Sequence, residues 1–494
     1  IQFGSYLPDL PAIGHPGLLR AVNVYPVEGG YGPLPSLASW QGSLLGRCRG
    51  AAAGRDKTGQ SFVVAGDATK LYLRKTGGIA DATRTTGGSY TTAATNGWAF
   101  AQFNNVVYAA NYDDEIQKLD LGSSNFANLG VATAPRARSL CVLRDFLVAG
   151  YCYDPTGGTP VGLVPNRVHW SEKGNPDSWP MYGTTAAVNV QSDKQELQGG
   201  EVQKIVALAE IGLVLMDRAI WRMDYVAGDV IFEFHPISRD QGTVVPGSVV
   251  TRGRRTYFWS ENGWKVTDGA SIESIGHEQI DRTFAAAFDM GARNLMSGAA
   301  HPRRRAIVWS YPTSDGAMKL LIYEEELGRW SEGDEAVEWL IEALPPGYSM
   351  DDYALPTYDM DAAPAPFGGT SLDDGRYLGF PSDLGGFSTS HTLGLFNGPA
   401  RTAIVETGDF ELIPNRRAVV RRMRLVSDSS SWLVSVGSRG KSYDPVAYGP
   451  YQVVEADGSI SVRENGRYHR ALIAGSGFTK LQGLDAEAQP EGNR

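Results

Sequence analysis

The sequence predicts an all-β fold, a β-propeller of about six to eight degenerate blades with an N-terminal extended arm and a C-terminal antiparallel β domain. Three observations predict it. Gly, at 59 of 494 residues, is well above the usual ~7%, while Pro is ordinary at 27. Aromatics are plentiful, with 11 Trp, 22 Tyr and 17 Phe, so short strands joined by tight turns fit better than helices. Apolar strand-like runs recur at residues 62–67, 106–111, 146–150, 213–217, 257–260 and 306–310. Their steps are roughly 40–50 residues, with one longer gap, which is the spacing of propeller blades.

Several runs are followed by a second strand pattern, at 69–73, 116–119, 219–223 and 320–323. Each repeat therefore reads as a hairpin of an inner apolar strand and an amphipathic one. A lone hairpin cannot bury its own face, so neighbours must stack radially. Trp-Ser-Glu recurs at Trp170, Trp259 and Trp330, with Trp309-Ser310 as a partial copy. Trp at equivalent strand ends would pack between blades.

Residues 1–40 carry Pro8, Pro11, Pro16, Pro26, Pro33 and Pro35 and read as an extended arm laid across another surface. The repeat domain is placed at 41–400. Within it, Ile280, Phe284 and Phe288 recur every four residues before Gly291 and predict a helix. Residues 334–344, ending at Pro345-Pro346, are a weaker helix candidate. An acidic, Pro- and Gly-bearing loop is expected at about 345–376. Beyond 400, alternating runs at 419–426, 432–436 and 460–463 predict a β domain over 401–494 with a polar tail.

Composition excludes several classes. With 42% hydrophobic and 20% charged residues the chain can build a core and is not a solvated polymer. No run approaches the ~18–20 apolar residues of a spanning helix, and the opening IQFGSYLP does not read as a signal peptide. Three cysteines (Cys48, Cys141, Cys152) do not make a disulfide framework and fit buried thiols in a reducing compartment. The formal charge of −10 argues against gripping nucleic acid over the whole surface.

The seven histidines are scattered, and no H-E-x-x-H, G-x-S-x-G, phosphate loop or C-x-x-C occurs. Neither a catalytic residue nor a cofactor or metal is expected. Paired acids at Asp113-Asp114, Asp351-Asp352, Asp359/Asp361 and Asp373-Asp374 have the chemistry for glycoside hydrolysis. Acids in Gly/Pro loops are more often solvated turn residues. Arg outnumbers Lys roughly three to one and clusters as Arg252, Arg254, Arg255, as Arg303, Arg304, Arg305, and as Arg416, Arg417, Arg421, Arg422, Arg424. Its planar fork suits carboxylates across an interface or phosphate. Strict alternation places Arg422 and Arg424 on one face, and Arg421 with Met423 and Leu425 on the other. These arginines, with Asp351 and Asp352, are the interface or channel candidates.

Residues 18–26 (LLRAVNVYP), the segment from Asn166 to Trp179 (NRVHWSEKGNPDSW), and GRYHR at 466–470 followed by QGLDAE at 482–487 resemble pieces of short-tailed phage tail proteins. The family is the podovirus tail nozzle, also described as a packaged-DNA-stabilising tail protein. The resemblance implies a virion tail component assembled in the host cytoplasm. It implies a hexameric ring below portal and adaptor proteins, in contact with tail fibres or a needle. Double-stranded DNA would pass through its lumen without sequence-specific binding, and be retained until ejection. Six copies at −10 each would repel phosphate if that charge lined the lumen. The alternatives are a receptor-binding or polysaccharide-degrading tail protein and a cellular propeller scaffold.

Overall fold

The computed structural model describes residues 1–75, 78–154, 162–228, 230–343, 382–429 and 431–490. The acidic loop expected at 345–376, with Asp351 and Asp352, lies outside them. Among the described residues, six separate four-stranded sheets and four strands of a ten-stranded sheet form seven blades. Blade one is Gly50–Arg55, Ser61–Gly66, Leu71–Arg74 and Ala80–Asp81; blade two is Ala99–Phe103, Val106–Ala110, Gln117–Asp120 and Ala127–Asn128. Blade three is Arg136–Leu143, Phe146–Asp154, Gly162–Trp170 and Asp193–Glu196; blade four is Val202–Leu208, Ile211–Met216, Ile220–Tyr225 and Phe232–Ser238. Blade five is Val250–Arg252, Arg255–Ser260, Gly263–Thr267 and Ile272–Ser274; blade six is Ser297–Ala300, Ala306–Pro312, Met318–Glu324 and Arg329–Gly333. Blade seven takes Val337–Ala343, Asp383–Ser388 and Thr392–Leu395, and its fourth strand, Ala38–Ser43, comes from the far end of the sequence. The first strand of blade seven packs on both blade six and blade one, which closes the circle.

Local chemistry sets these hairpins. In blades two to five the first and second strands join through two residues, the first at positive φ: Asn104, Arg144, Ala209 and Gly253. That conformation matches the twist of the flanking strands. The recurrent apolar runs are the second strands, not the innermost. Each blade has a further strand inside them, and in blades one and six, Gly50–Arg55 (GAAAGR) and Ser297–Ala300 (SGAA), it is poor in large apolar residues. Seven strands converge there and space is short. A Cβ on Gly298 would come within 2.4 Å of the Trp309 ring, and one on Gly50 within 2.3 Å of the Trp98 carbonyl.

The Trp-Ser-Glu residues do not occupy equivalent strands: Trp170 ends a third strand, Trp259 lies in a second and Trp330 in a fourth. Four tryptophans, Trp259, Trp264, Trp309 and Trp330, nonetheless pack together between blades five and six. Trp264 lies 4.2 Å from Trp309 and 5.8 Å from Trp330, ring centre to ring centre, and Trp259 lies 5.5 Å from Trp264. The predicted helix forms over Asp281–Ala287 and inserts Phe284 against Trp259 and Trp264. The second helix candidate is wrong. Residues 334–344 contain the strand Val337–Ala343, whose apolar residues face blades six and one rather than a single helical stripe.

The Pro-rich opening is extended, and the surface it lies across is this chain's own. Leu18–Val22 sits between the outer strand of blade six and Ala403–Thr407, so the ten-stranded sheet runs from the propeller into a second lobe through Tyr468–Gly475 and Trp432–Arg439. Val24–Val27 and Gly30–Pro33 join Leu481–Pro490, Ala418–Ser427 and Ser459–Gly466 in a five-stranded sheet. Val420, Met423, Leu425, Val434, Ile460, Ile473 and Leu484 fill the space between the two sheets, in one cluster with the tryptophans of blades five and six.

Asp9 fastens the opening segment to the propeller. Ile280 at the helix N-cap offers no side-chain oxygen, and the Asp9 carboxylate accepts instead from the backbone N–H of Arg282 (2.8 Å) and Thr283 (2.9 Å) and from the Thr283 hydroxyl (2.7 Å). Asp9→Ala is expected to cost about 1–2 kcal/mol in urea denaturation, with Asp9→Asn retaining most of the stability.

Candidate functional site

The first two arginine clusters meet on one face of the propeller. Arg252, Arg254 and Arg255 surround the turn between the first two strands of blade five, and Arg303, Arg304 and Arg305 the corresponding turn of blade six. Arg252, Arg254, Arg255 and Arg305 line a shallow depression with Glu325 and Glu326. Arg252 pairs with Glu325 at 3.3 Å and Arg305 with Glu326 at 3.4 Å. Arg303 reaches Asp383 at 3.5 Å, and Arg304 stacks over Tyr25 at 4.6 Å. Carboxylates of neighbouring turns thus answer much of this positive charge.

The third cluster stays apart, on the second lobe. Arg416 and Arg417 are exposed just before the strand Ala418–Ser427. Arg422 and Arg424 face solvent opposite Glu487 and Asp485 of the adjacent strand, and Arg422 also pairs with Asp457. Arg421 does not share the buried face of Met423 and Leu425. A β-bulge between Val420 and Arg422 absorbs one residue, so Arg421 and Arg422 are both exposed while Val420 and Met423 both point inward. The result is a cross-strand charge ladder, each pair contributing roughly 0.2–1 kcal/mol.

The acids of blade two serve the fold. Asp113 accepts from the backbone N–H of Ala93 (2.8 Å) and from the Asn96 amide (2.9 Å). Asp114 binds Arg84 (2.9 Å) and the Thr91 N–H (3.0 Å). Among the described residues no group of three or more His, Cys, Asp or Glu is arranged to hold a metal ion, and no helix is long and apolar enough to cross a membrane.

The centre of the disc went unread in the sequence. A cavity of about 230 Å³ is lined by the inner strands of blades one to four and seven and by the segments leading into blades five and six, with Ala51, Arg138, Lys204, Gly247, Met296 and Trp339 among the lining residues. It shares Thr95, Asn96, Gly97, Asn294 and Trp339 with a wider mouth of about 390 Å³. At that mouth Glu338 is buried, accepting from the Cys48 N–H (3.3 Å), meeting the His391 ring at 2.9 Å and lying 3.9 Å from Arg47. The Asn294 amide reaches across to the Ala94 carbonyl (2.7 Å).

Two buried imidazoles report on acid sensitivity. Burial, aided by Arg304 and Arg303, pushes His301 down to about 3, where it packs edge-on against Tyr25. Burial, aided by Arg167, does the same to His169, held between Trp179 and Tyr182. Their folded values lie below the unfolded ~6.5, so the unfolded state binds more protons between the two and stability falls as pH falls through that window. Near pH 4.5 each is expected to cost about 2–3 kcal/mol relative to pH 7. Thermal melts should show His301→Gln flattening that acid limb.

No family model matches the chain, and no curated protein matches it. Among solved structures it is similar to the computationally designed Ika8 protein, at 11% identity and a TM-score of 0.36, over 79% of this chain and 99% of that one. It is similar to BamB from Moraxella catarrhalis, at 11% identity and a TM-score of 0.38, over 76% and 93%. The extracellular domain of a one-component system from B. thetaiotaomicron matches at 9% identity and a TM-score of 0.41, over 86% of this chain and 47% of that one. The fold assignment rests on the closed circuit of seven antiparallel sheets.

Proposed function

We propose that this chain is a structural subunit of a homo-oligomeric ring, a tail nozzle that continues a DNA channel below portal and adaptor proteins, and that it carries no catalytic centre. The phage-like segments named above supply the family and the six-fold number. The supporting structural observation is an uncovered apolar edge on the second lobe. Ala447–Tyr448 and Gln452–Val453 pair on one side only, with Trp432–Arg439, and end the ten-stranded sheet there. Around them Tyr443 is 76% exposed, Val453 70% and Tyr451 55%, and Leu433 stands opposite Val453. An aromatic and aliphatic cluster on a free strand edge marks a protein contact.

Both lobes share one sheet and one core, so a contact made at that edge is transmitted to the disc without a flexible linker. Native mass spectrometry of the full chain is expected to show a closed six-chain species. Val453→Asp with Tyr451→Asp should release single chains whose circular dichroism spectrum matches that of the parent. A parent protein that stays single-chain at all concentrations contradicts the reading.

A further inference from the structure

The central cavity has a chemistry that neither the fold nor the ring role requires. Two cationic side chains, Arg138 of blade three and Lys204 of blade four, line it, and no carboxylate does. Neither cation has an ion-pair partner among the described residues. Arg138 stacks on the Tyr151 ring at 3.6 Å, and its buried Nε has no hydrogen-bond acceptor. Lys204 donates only a long 3.5 Å contact to the Val249 carbonyl across the seam between blades four and five. Arg167, by contrast, is answered by Asp154 and Glu196.

The backbone brings Lys204 to the cavity. Val202 pairs with Met216 and Lys204 with Leu215, so Gln203 is the extra residue of a β-bulge in the inner strand. Without it, consecutive residues would point to opposite faces; with it, Gln203 and Lys204 both line the cavity. Bulges of this kind re-aim side chains beside functional sites. With no acid nearby, burial pushes the Lys204 ammonium down to about 8. Two half-buried like charges without a counter-ion carry a desolvation cost, and an anion seated between the blades reduces it.

We infer that the central cavity is a binding site for a small dianion, a phosphate group or a short dicarboxylate, held by Lys204 and Arg138 and reached through the mouth bearing Asn96 and Asn294. At about 230 Å³ the space far exceeds the ~10–15 Å³ that one water needs. Of the lining amides, Gln203 adds a neutral donor suited to anionic oxygens, while those of Asn96 and Asn294 are held by Asp113 and the Ala94 carbonyl.

The test is calorimetry and thermal melting of the full chain with inorganic phosphate and with succinate, against sodium chloride at matched ionic strength. Saturable binding and a rise in melting temperature are expected with at least one probe. Preference between the two identifies the ligand as a phosphate or a carboxylate compound. Lys204→Met should weaken binding by at least about tenfold, while leaving the unliganded melting temperature equal or higher, because it removes an uncompensated half-buried charge. If Lys204 served only to brace the blade seam, the variant would melt lower and bind the probe as the parent does. Arg138→Met provides a second, independent loss of binding. Absence of binding by both probes, or unchanged affinity in Lys204→Met, overturns the inference. The oligomer measurement is separate, so either reading can fail without the other.

Discussion

A chain lacking residues 1–43 is expected to lose both lobes. The segment supplies the fourth strand of blade seven, the strand that joins blade six to the second lobe, and two strands of the five-stranded sheet. It buries Leu18, Val24, Tyr25, Tyr31 and Leu34 almost completely. At roughly 1.5–3 kcal/mol per large apolar side chain, these five rival the ~5–15 kcal/mol net stability of a whole protein. Circular dichroism and limited proteolysis should find the truncated chain aggregated or readily cleaved. A shorter deletion of residues 1–33 keeps Ala38–Ser43 and separates the roles. It should disrupt the second lobe while proteolysis still yields a resistant propeller core.

Replacing Arg167 by Ala should produce the largest effect of any single change named here. Its side chain is fully buried in blade three, donating to Asp154 at 2.7 Å and to Glu196 at 2.7 and 3.0 Å. Tyr182 donates to the same Asp154 oxygen at 2.9 Å, and Lys194 meets Glu196 at 2.5 Å. Removing the guanidinium leaves Asp154 charged and enclosed, a loss of about 3–5 kcal/mol. Arg167→Lys should recover only part of it, because an ammonium cannot serve both carboxylates with the planar fork. Denaturant midpoints of the two variants decide this. Equal midpoints for parent and Arg167→Ala would mean that the network carries no stability.

The repeat was legible because the second strands are fully buried and therefore read as unbroken apolar runs, as in Ile211–Met216 and Ala306–Pro312. Inner strands were harder to read, since those of blades one and six are mostly Gly and Ala, and a bulge at Gln203 breaks the alternation that would have marked Lys204. The same kind of irregularity misassigned Arg421. The helix Asp281–Ala287 was visible through one clear four-residue period, whereas residues 334–344 mixed charge and apolar side chains because that strand packs on blades to both sides. Long-range closure was the least readable. Nothing local in Ala38–Ser43 says that its partner is Thr392–Leu395. The arginine clusters were visible as composition, but their acids arrive from separate turns, as Glu325 does for Arg252.

Electron cryomicroscopy of the purified full-length protein tests the account most directly. It predicts seven-spoked discs, each fused to one β lobe, arranged around a six-fold bore with the Tyr451 and Val453 edges at the contacts. Isolated particles with that edge bare, or an open sheet in place of the seven-bladed disc, would contradict it.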